Sequence, residues 1–321
     1  MKDSRKKAIV IGIGPVGLSL VTFLALNNEA VLIDVDEPKV NSINDKKSPI
    51  NEPLLDEYFS TKTLNLRATT NYEDGCINAE FIIVCVPTNL DKKTNQLDTS
   101  IVDSVVSKAV SINPEATIII KSTIPVGFTR TLKEKYNIKH ILFCPEFLRE
   151  NSALQDTLNP SRIVIGFDED SKLEAERFAS LIKESILNDS PILITGLEEA
   201  ESIKLFSNTI SSKRVSFFNE IDGFAIKKGL DARDIIKGMS LDPRIGDFYN
   251  NPSFGYSGTC LVKDVLQASS ELKVIDNYVV DSINKSNEAR KDYITEHGLE
   301  LADYKPEIAN KITIGIYRMS F

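Results

Sequence analysis

The sequence is poor in the residues that build metal centres and disulfide frameworks. Its 321 residues include two His and four Cys. Two imidazoles argue against a histidine-built metal site, and Cys76, Cys85, Cys144 and Cys260 show no C-x-x-C spacing. We read reduced thiols, no metal and a cytoplasmic protein. Basic excess is also missing: 46 acidic residues face 38 basic ones, a net charge of −8, which argues against nucleic acid as a partner. There is no internal repeat and no low-complexity linker. The charge-free run Ala8–Leu26, after a basic start, mimics a signal anchor. Gly12, Gly14, Pro15 and Gly17 cut it into a strand, a turn and a helix, so no membrane role follows. With 42% apolar and 26% charged residues the composition is that of a soluble globular chain, long enough for two domains.

What is present begins with that same run. Ala8–Ile13 is an uninterrupted β-branched strand pattern, followed by Gly12-Ile-Gly-Pro-Val-Gly17 and an apolar helix to Asn27. Ala30–Ile33 is a second strand, ending at Asp34. Strand, G-x-G-x-x-G, helix, strand and acid form the dinucleotide fingerprint in its required context. Gly12 allows the tight turn, Gly14 the close approach of pyrophosphate, and Gly17 the packing of helix on strand; Val16 lies at the helix start that faces the phosphates. Asp34 suits the ribose hydroxyls and repels a 2′-phosphate, so NAD is expected over NADP. Pro15 fits a first helical position but removes one amide that could face pyrophosphate.

Further strands are expected at Leu64–Ala68, Phe81–Val86, Thr117–Lys121, His140–Phe143, Arg162–Phe167 and Pro191–Ile194, with helices between them that include Thr99–Ile112 and Ser171–Leu187. This alternation predicts an α/β, Rossmann-type, doubly wound and mostly parallel sheet, with ligands beyond the strand C-termini. Three segments lie there: Val86-Pro87-Thr88, Ser122–Gly127 with Thr123, and Pro145–Glu150 with Glu146. Ordinary turn chemistry is the alternative for each. After Gly196 the register changes. Leu197–Lys228 has almost no breaker, and its apolar residues recur at helical spacing, which predicts one helix about 45 Å long. Lys204 and Asn208 share one of its faces. Shorter helices are expected at Asp231–Lys237, Asp264–Leu272 and Val274–Glu296.

Asn251–Asp264 is the most chemical stretch. Gly255, Ser257 and Gly258 lead to the thiol of Cys260, and Lys263 and Asp264 follow. A helix starting near Cys260 would bring both charges back beside the sulfur, an arrangement in which a thiol serves as a nucleophile. A buried structural Cys in a Gly-rich turn is the alternative.

Together these motifs resemble the UDP-glucose 6-dehydrogenases of the UDP-glucose/GDP-mannose dehydrogenase family over essentially the whole chain. The resemblance rests on Gly12–Gly17, Ser122–Gly127, Pro145–Glu150, Ala200–Asn208, Leu241–Gly246 and Asn250–Asp264. It implies oxidation of a sugar CH₂OH to a carboxylate with two NAD, through a thiohemiacetal and a thioester on Cys260. Lys204 and Asn208 would stabilise the oxyanion. Asp264, with Lys204 and a water near Thr123, would move protons; Glu150 would serve thioester hydrolysis and Glu146 would organise water. Val86, Pro87, Thr88, Thr123, Glu150 and Lys263 would join the fingerprint in holding NAD. Phe147, Leu148, Arg149, Arg244, Tyr249, Phe254, Gly255, Tyr256 and Gly258 would contact UDP-glucose, with Arg244 reaching into a neighbouring subunit and the long helix forming a homodimer. GDP-mannose, an N-acetylated UDP-sugar or a two-electron β-hydroxyacid substrate are the alternative readings, as is a truncated NAD-binding protein of little activity.

The resemblance divides the chain into an NAD-binding domain over 1–196, an all-helical central domain over 197–300, and the start of a truncated UDP-binding domain over 301–321, where Lys311–Arg318 reads as a fresh strand. On that division the chain is expected to bind NAD, more weakly than a relative with an N–H at position 15, and to bind UDP-glucose poorly. The family usually has Tyr at position 15, Gly at 151 and 257, and Pro at 262, where this chain has Pro, Asn, Ser and Val. Ser257 is expected to strain the loop if that position needs positive φ.

Overall fold

The computed structural model describes residues 7–91, 93–256, 259–305 and 313–315. Its first strand, β1 (Lys7–Ile11), is buried along nearly its whole length, as a run of β-branched residues with helices on both faces requires. It leads into α1 (Pro15–Leu24), β2 (Glu29–Ile33), α2 (Glu37–Asn44), α3 (Pro53–Thr61), β3 (Leu66–Thr69), α4 (Tyr72–Cys76) and β4 (Phe81–Val84). A short two-stranded sheet of β5 (Asn89–Asp91) and β6 (Gln96–Asp98) follows. Then come α5 (Ser100–Ile112), β7 (Thr117–Ile120), α6 (Phe128–Tyr136), β8 (Ile141–Phe143), α7 (Ala153–Leu158), β9 (Ile163–Phe167), α8 (Lys172–Lys183) and β10 (Ile192–Gly196).

The eight longer-range strands form one sheet in the order β10-β9-β8-β7-β4-β1-β2-β3. Every pairing is parallel except β8 with β9, which meet antiparallel at Phe143 and Gly166. Two apolar layers cover its faces, one centred on Val10, Leu32, Phe81 and Phe178, the other on Ile11, Val31, Ile82 and Ile120. The chain winds outward from β1 to β3, then restarts on the other side at β4. The C-terminal ends of β1 and β4 are therefore the switch point at which such sheets bind ligands.

The doubly wound α/β expectation holds, with most strands shorter than read and β2 and β10 one residue longer: β4 stops at Val84, so Val86-Pro87-Thr88 is loop rather than strand end. Beyond the sheet, α9 (Leu197–Lys228) has the limits the sequence suggests. It is followed by α10 (Ala232–Ser240), α11 (Thr259–Glu271) and α12 (Tyr278–Leu301). A helix does start near Cys260: Thr259 opens α11, five residues ahead of the segment expected from Asp264 to Leu272. One helix expectation is corrected. The expected Val274 start of the last helix is replaced by a 3₁₀ turn at Leu272–Val274 and a fresh start at Tyr278.

The chain divides into two compact units, Met1–Asp91 with Leu97–Lys204, and Lys92–Gln96 with Leu205–Phe321. The second has its own small core of Tyr256, Val265 and Ile283, with Val215, Leu261, Val262 and Val280 against it. Val262 thus fills apolar space where the resemblance led us to expect Pro. Most of the expected strand Lys311–Arg318 lies outside the described residues. Among the described residues, no helix is long and apolar enough to cross a membrane.

Candidate active site

In the first unit the fingerprint loop joins β1 to α1. Gly12 has φ +114°, and a Cβ on it would lie 2.5 Å from the Cys85 carbonyl oxygen. Only glycine lets β1 turn this closely against the end of β4. A Cβ on Gly17 would lie 2.0 Å from the Gly12 oxygen, whereas one on Gly14 would meet nothing within 4 Å. Gly14 therefore borders open space at the N-terminus of α1, with no side chain of its own to cap the helix, and Pro15 takes the first turn as its fixed φ allows. At the end of β2, Asp34 accepts the Ile13 N–H on Oδ2 at 2.5 Å and the Asp36 N–H on Oδ1 at 2.9 Å. A carboxylate has about four acceptor positions, so these two bonds orient it and leave capacity for ribose hydroxyls. Open space over Gly14, a helix start and a braced acid fit a dinucleotide. Across the switch point Thr88 is buried, while Pro87 is exposed and Val86 half-buried.

Two loops at the C-terminal ends of β7 and β8 carry the other residues of this unit. Ser122 Oγ donates to the Val86 oxygen at 2.6 Å, tying the Thr123 loop to the loop after β4. Glu201, in the first turns of α9, is 1% exposed. It accepts the Gly127 N–H at 2.5 Å, the Thr129 N–H at 3.0 Å and the Thr129 hydroxyl at 2.6 Å. It thereby caps α6, whose N-cap Gly127 has φ +85° and no side chain to offer. Burial raises the Glu201 carboxyl above its usual range, against these hydrogen bonds. Sequence reading missed Glu201, because one acid among three in the first turns of a helix looks like a solvated one.

One turn along α9, the Lys204 amine donates to Glu146 Oε1 at 2.6 Å and to the Glu146 backbone oxygen at 2.8 Å. Glu146 Oε2 accepts the Leu148 N–H at 3.0 Å. Both side chains are enclosed, 5% exposed for Lys204 and 13% for Glu146. Burial pushes the Glu146 carboxyl up, but the Lys204 charge and hydrogen bond, then Leu148 N–H, outweigh it and hold it below the usual range. Phe147 lies under two cations, with the Arg162 guanidinium 3.8 Å from its ring centre and the Lys204 amine 5.6 Å away. Arg149 turns away to pair with Asp156 at 2.7 Å. Glu150 opens a 3₁₀ turn; its side chain lies outside the described residues.

In the second unit, Cys260 is exposed, whereas Cys76 and Cys144 are buried. This removes the buried-turn reading of its thiol. Burial raises the Cys76 thiol to about 11 and that of Cys85 to about 12, which disfavours both as nucleophiles. Asp264, one turn after Cys260 and fully buried, accepts from Asn208 Nδ2 at 2.5 Å. The loop ahead of Cys260 is strapped on both sides. Asn219 accepts the Ser253 N–H at 2.7 Å, Asn287 pairs with both backbone polar groups of Tyr256, and Arg290 reaches the Ser253 oxygen at 2.9 Å. Gly255 has φ +121°, with Asn287 Oδ1 3.0 Å from where a Cβ would be. Arg214 donates to the oxygens of Phe248 and Ile245 and to Asn250, fixing the preceding turn.

The expected sugar-contacting side chains are not presented alike. Phe254 is 73% and Tyr249 58% exposed, the latter in a left-handed backbone, whereas Tyr256 is 4% exposed, with its hydroxyl on Asn284 at 2.6 Å. Arg244 pairs with Asp242 two residues back at 2.6 Å and is otherwise solvated. Lys263 is half-buried on α11. Ser257 and Gly258 lie outside the described residues. Asn151 is absent from the left-handed positions among the described residues, so its departure from Gly needs no strained backbone.

The chain is similar to known proteins over both units. Residues 6–184 match the UDP-glucose/GDP-mannose dehydrogenase family, NAD binding domain, and residues 198–289 match that family's central domain. The chain is 44% identical to a UDP-glucose 6-dehydrogenase of Campylobacter jejuni over 98% of its own length and 78% of that protein's. It is equally similar, over the same shares, to a UDP-glucose 6-dehydrogenase of Streptococcus pneumoniae. Among solved structures, a UDP-glucose dehydrogenase of the archaeon Pyrobaculum islandicum superposes with a TM-score of 0.82 at 25% identity, covering 94% of this chain and 71% of that one. With both domains matched and relatedness extending over nearly every residue, the chain belongs to the UDP-glucose/GDP-mannose dehydrogenase family and is an NAD-dependent nucleotide-sugar dehydrogenase.

Proposed function

We propose that the protein oxidises UDP-glucose to UDP-glucuronate in two two-electron steps, with Cys260 as the covalent catalyst. The observation that carries this reading is an exposed thiol in the first turn of α11, one helical turn from a buried Asp264 that is hydrogen-bonded to Asn208. Gly12, Gly14, Val16, Gly17 and Asp34 would hold NAD, with Val86, Pro87, Thr88 and Lys263 beside it; when bound, NAD supplies the hydride acceptor, one molecule for each of the two oxidations. Cys260 Sγ adds to the aldehyde carbon left by the first oxidation; the C–S bond forms as the C=O π bond opens, and the thiol proton passes by way of Asp264 to the oxygen, giving a thiohemiacetal. Loss of the second hydride from carbon and of the hydroxyl proton to Asp264 and solvent leaves a thioester, and water cleaves the C–S bond to give the acid, its proton restoring the thiol. The covalent bond retains the aldehyde between the two steps. Asn208 and Lys204 would stabilise the oxyanion at each tetrahedral stage. Glu146, Glu150 and Thr123 would position the hydrolytic water, and Phe147, Leu148, Arg149, Tyr249, Phe254, Gly255, Tyr256 and Gly258 the sugar nucleotide.

We further infer a homodimer formed through α9. Phe206, Ile210, Phe217 and Phe224 are between 37% and 54% exposed, and their spacing of four, seven and seven places them on one helical face. Solvent-exposed apolar rows of this kind mark interfaces, and Arg244 would then serve the neighbouring subunit's site. A reducing compartment, as the cytoplasm is, suits a thiol that must stay reduced.

Counting NADH per sugar nucleotide tests the reading. Two NADH per UDP-glucose, with little turnover of GDP-mannose or an N-acetylated UDP-sugar, is the expected result. One NADH per substrate would instead indicate a two-electron dehydrogenase, and preference for another sugar nucleotide would move the substrate assignment.

A further inference from the structure

Three consecutive backbone carbonyls leave the end of β8 and enter the loop that bears Glu146. Lysine amines take all three. Lys204 binds the Glu146 oxygen at 2.8 Å, and Lys121, the residue after β7, donates to the Cys144 oxygen at 3.2 Å and the Pro145 oxygen at 3.4 Å. The Lys121 amine also lies 3.8 Å from Cys144 Sγ. Carbonyls beyond the last strand bond have no ladder partner, and a buried one left unsatisfied is costly. A neutral side chain would satisfy them as well. Two ammonium groups do more: Lys204 pairs with the enclosed Glu146 carboxylate, and Lys121 adds a second positive charge on the two residues that lead into it.

We propose that Lys121 is a positioning residue of the candidate active site: with Lys204 it clamps the loop over Cys144–Glu146 and holds Glu146 as a carboxylate. The groups facing Glu146 fit this role. Lys204 approaches from α9 and Lys121 from the end of β7. The thiols of Cys85 and Cys144 stand at the ends of β4 and β8, and Arg162 stacks on the neighbouring Phe147. Among the described residues Lys121 makes no ion pair, and its amine is held by the Cys144 and Pro145 oxygens. Consistently, Lys121 is one of the charges that lower the Glu146 carboxyl, after Lys204 and the Leu148 N–H. Lys121 does not touch the reacting atoms on this account; it acts through Glu146.

The functional weight of the proposal rests on the reading of Glu146 as a water-organising group, but its physical content can be tested without turnover. Carboxyl-labelled glutamate, with the Glu146 signal assigned by its loss in Glu146→Gln, can be titrated by NMR in the wild type and in three variants of Lys121. Lys121→Gln keeps a donor and removes the charge, Lys121→Met removes both, and Lys121→Arg keeps both. The Glu146 midpoint should rise by about one pH unit in the Gln and Met variants and return in the Arg variant. In turnover assays the acid limb of kcat/KM should move by the same amount, a roughly tenfold loss on that limb, with NAD affinity unchanged. If Lys121→Met does not fold, Lys121→Gln still decides. A Glu146 midpoint that stays put in Lys121→Gln would overturn the proposal. Absence of sugar-nucleotide turnover in the wild type would instead count against the proposed function and leave the titration result standing.

Discussion

A methyl group at Gly17 would lie 2.0 Å from a backbone oxygen, and one at Gly14 would touch nothing. The two glycines therefore serve different purposes, packing at Gly17 and ligand access at Gly14. Gly17→Ala should destabilise the first unit by about 3 kcal/mol, because neither α1 nor the Gly12 turn can move away cheaply. Gly14→Ala should melt at the wild-type temperature yet bind NAD at least several-fold more weakly. Thermal melts paired with NAD titrations check this; equal loss of stability in both variants would show that Gly14 is structural. These roles were legible in the sequence, since G-x-G-x-x-G between strand and helix has few uses. The role of Glu201 was not. A buried acid and a solvated acid have the same letter, and only the capless N-terminus of α6 distinguishes them.

At the scale of elements, α9 holds both site loops of its unit with acids and bases of opposite habit. Glu146 has its carboxyl lowered in the folded state, so it adds stability above the unfolded value of about 4.3 and loses that contribution as pH falls through the folded value. Glu201 has its carboxyl raised. Its contribution is fully present below about 4.3 and declines as pH rises through the folded value. Urea midpoints measured from roughly pH 2 to 7 should therefore fall less steeply on acidification in Glu146→Gln, and more steeply in Glu201→Gln, than in the wild type. Slopes that change in the same direction would contradict one of the two assignments. The length of α9 itself was readable, because 32 residues without Pro and with apolar residues at helical spacing admit little else. The start of α11 was legible only to within a few residues: a Gly-rich approach blurs the point where a helix begins, and the sequence admitted a start near Cys260 as well as one at Asp264, against the observed Thr259. The β5–β6 pair escaped for a similar reason, its strands of three residues each being too short for a period to register. Nor does local sequence report that β9 runs against β8, since direction depends on how the chain returns through α7.

The whole molecule combines a dinucleotide fold whose switch point lies at β1 and β4 with a helical unit that presents the thiol. It spans 78% of the length of its Campylobacter and Streptococcus relatives, and both matched domains lie within it. If α9 forms the dimer, Phe217→Glu with Phe224→Glu should shift the scattering mass towards the monomer and slow sugar oxidation, because Arg244 would lose its neighbouring site. A monomeric wild type would refute the interface. The covalent role of Cys260 is the claim on which the proposed chemistry depends most, and a single-turnover count of NADH by Cys260→Ser, with UDP-glucose limiting, addresses it directly. The account predicts at most one NADH per UDP-glucose, with the second oxidation lost or slowed by orders of magnitude. Two NADH released at the wild-type rate would contradict it.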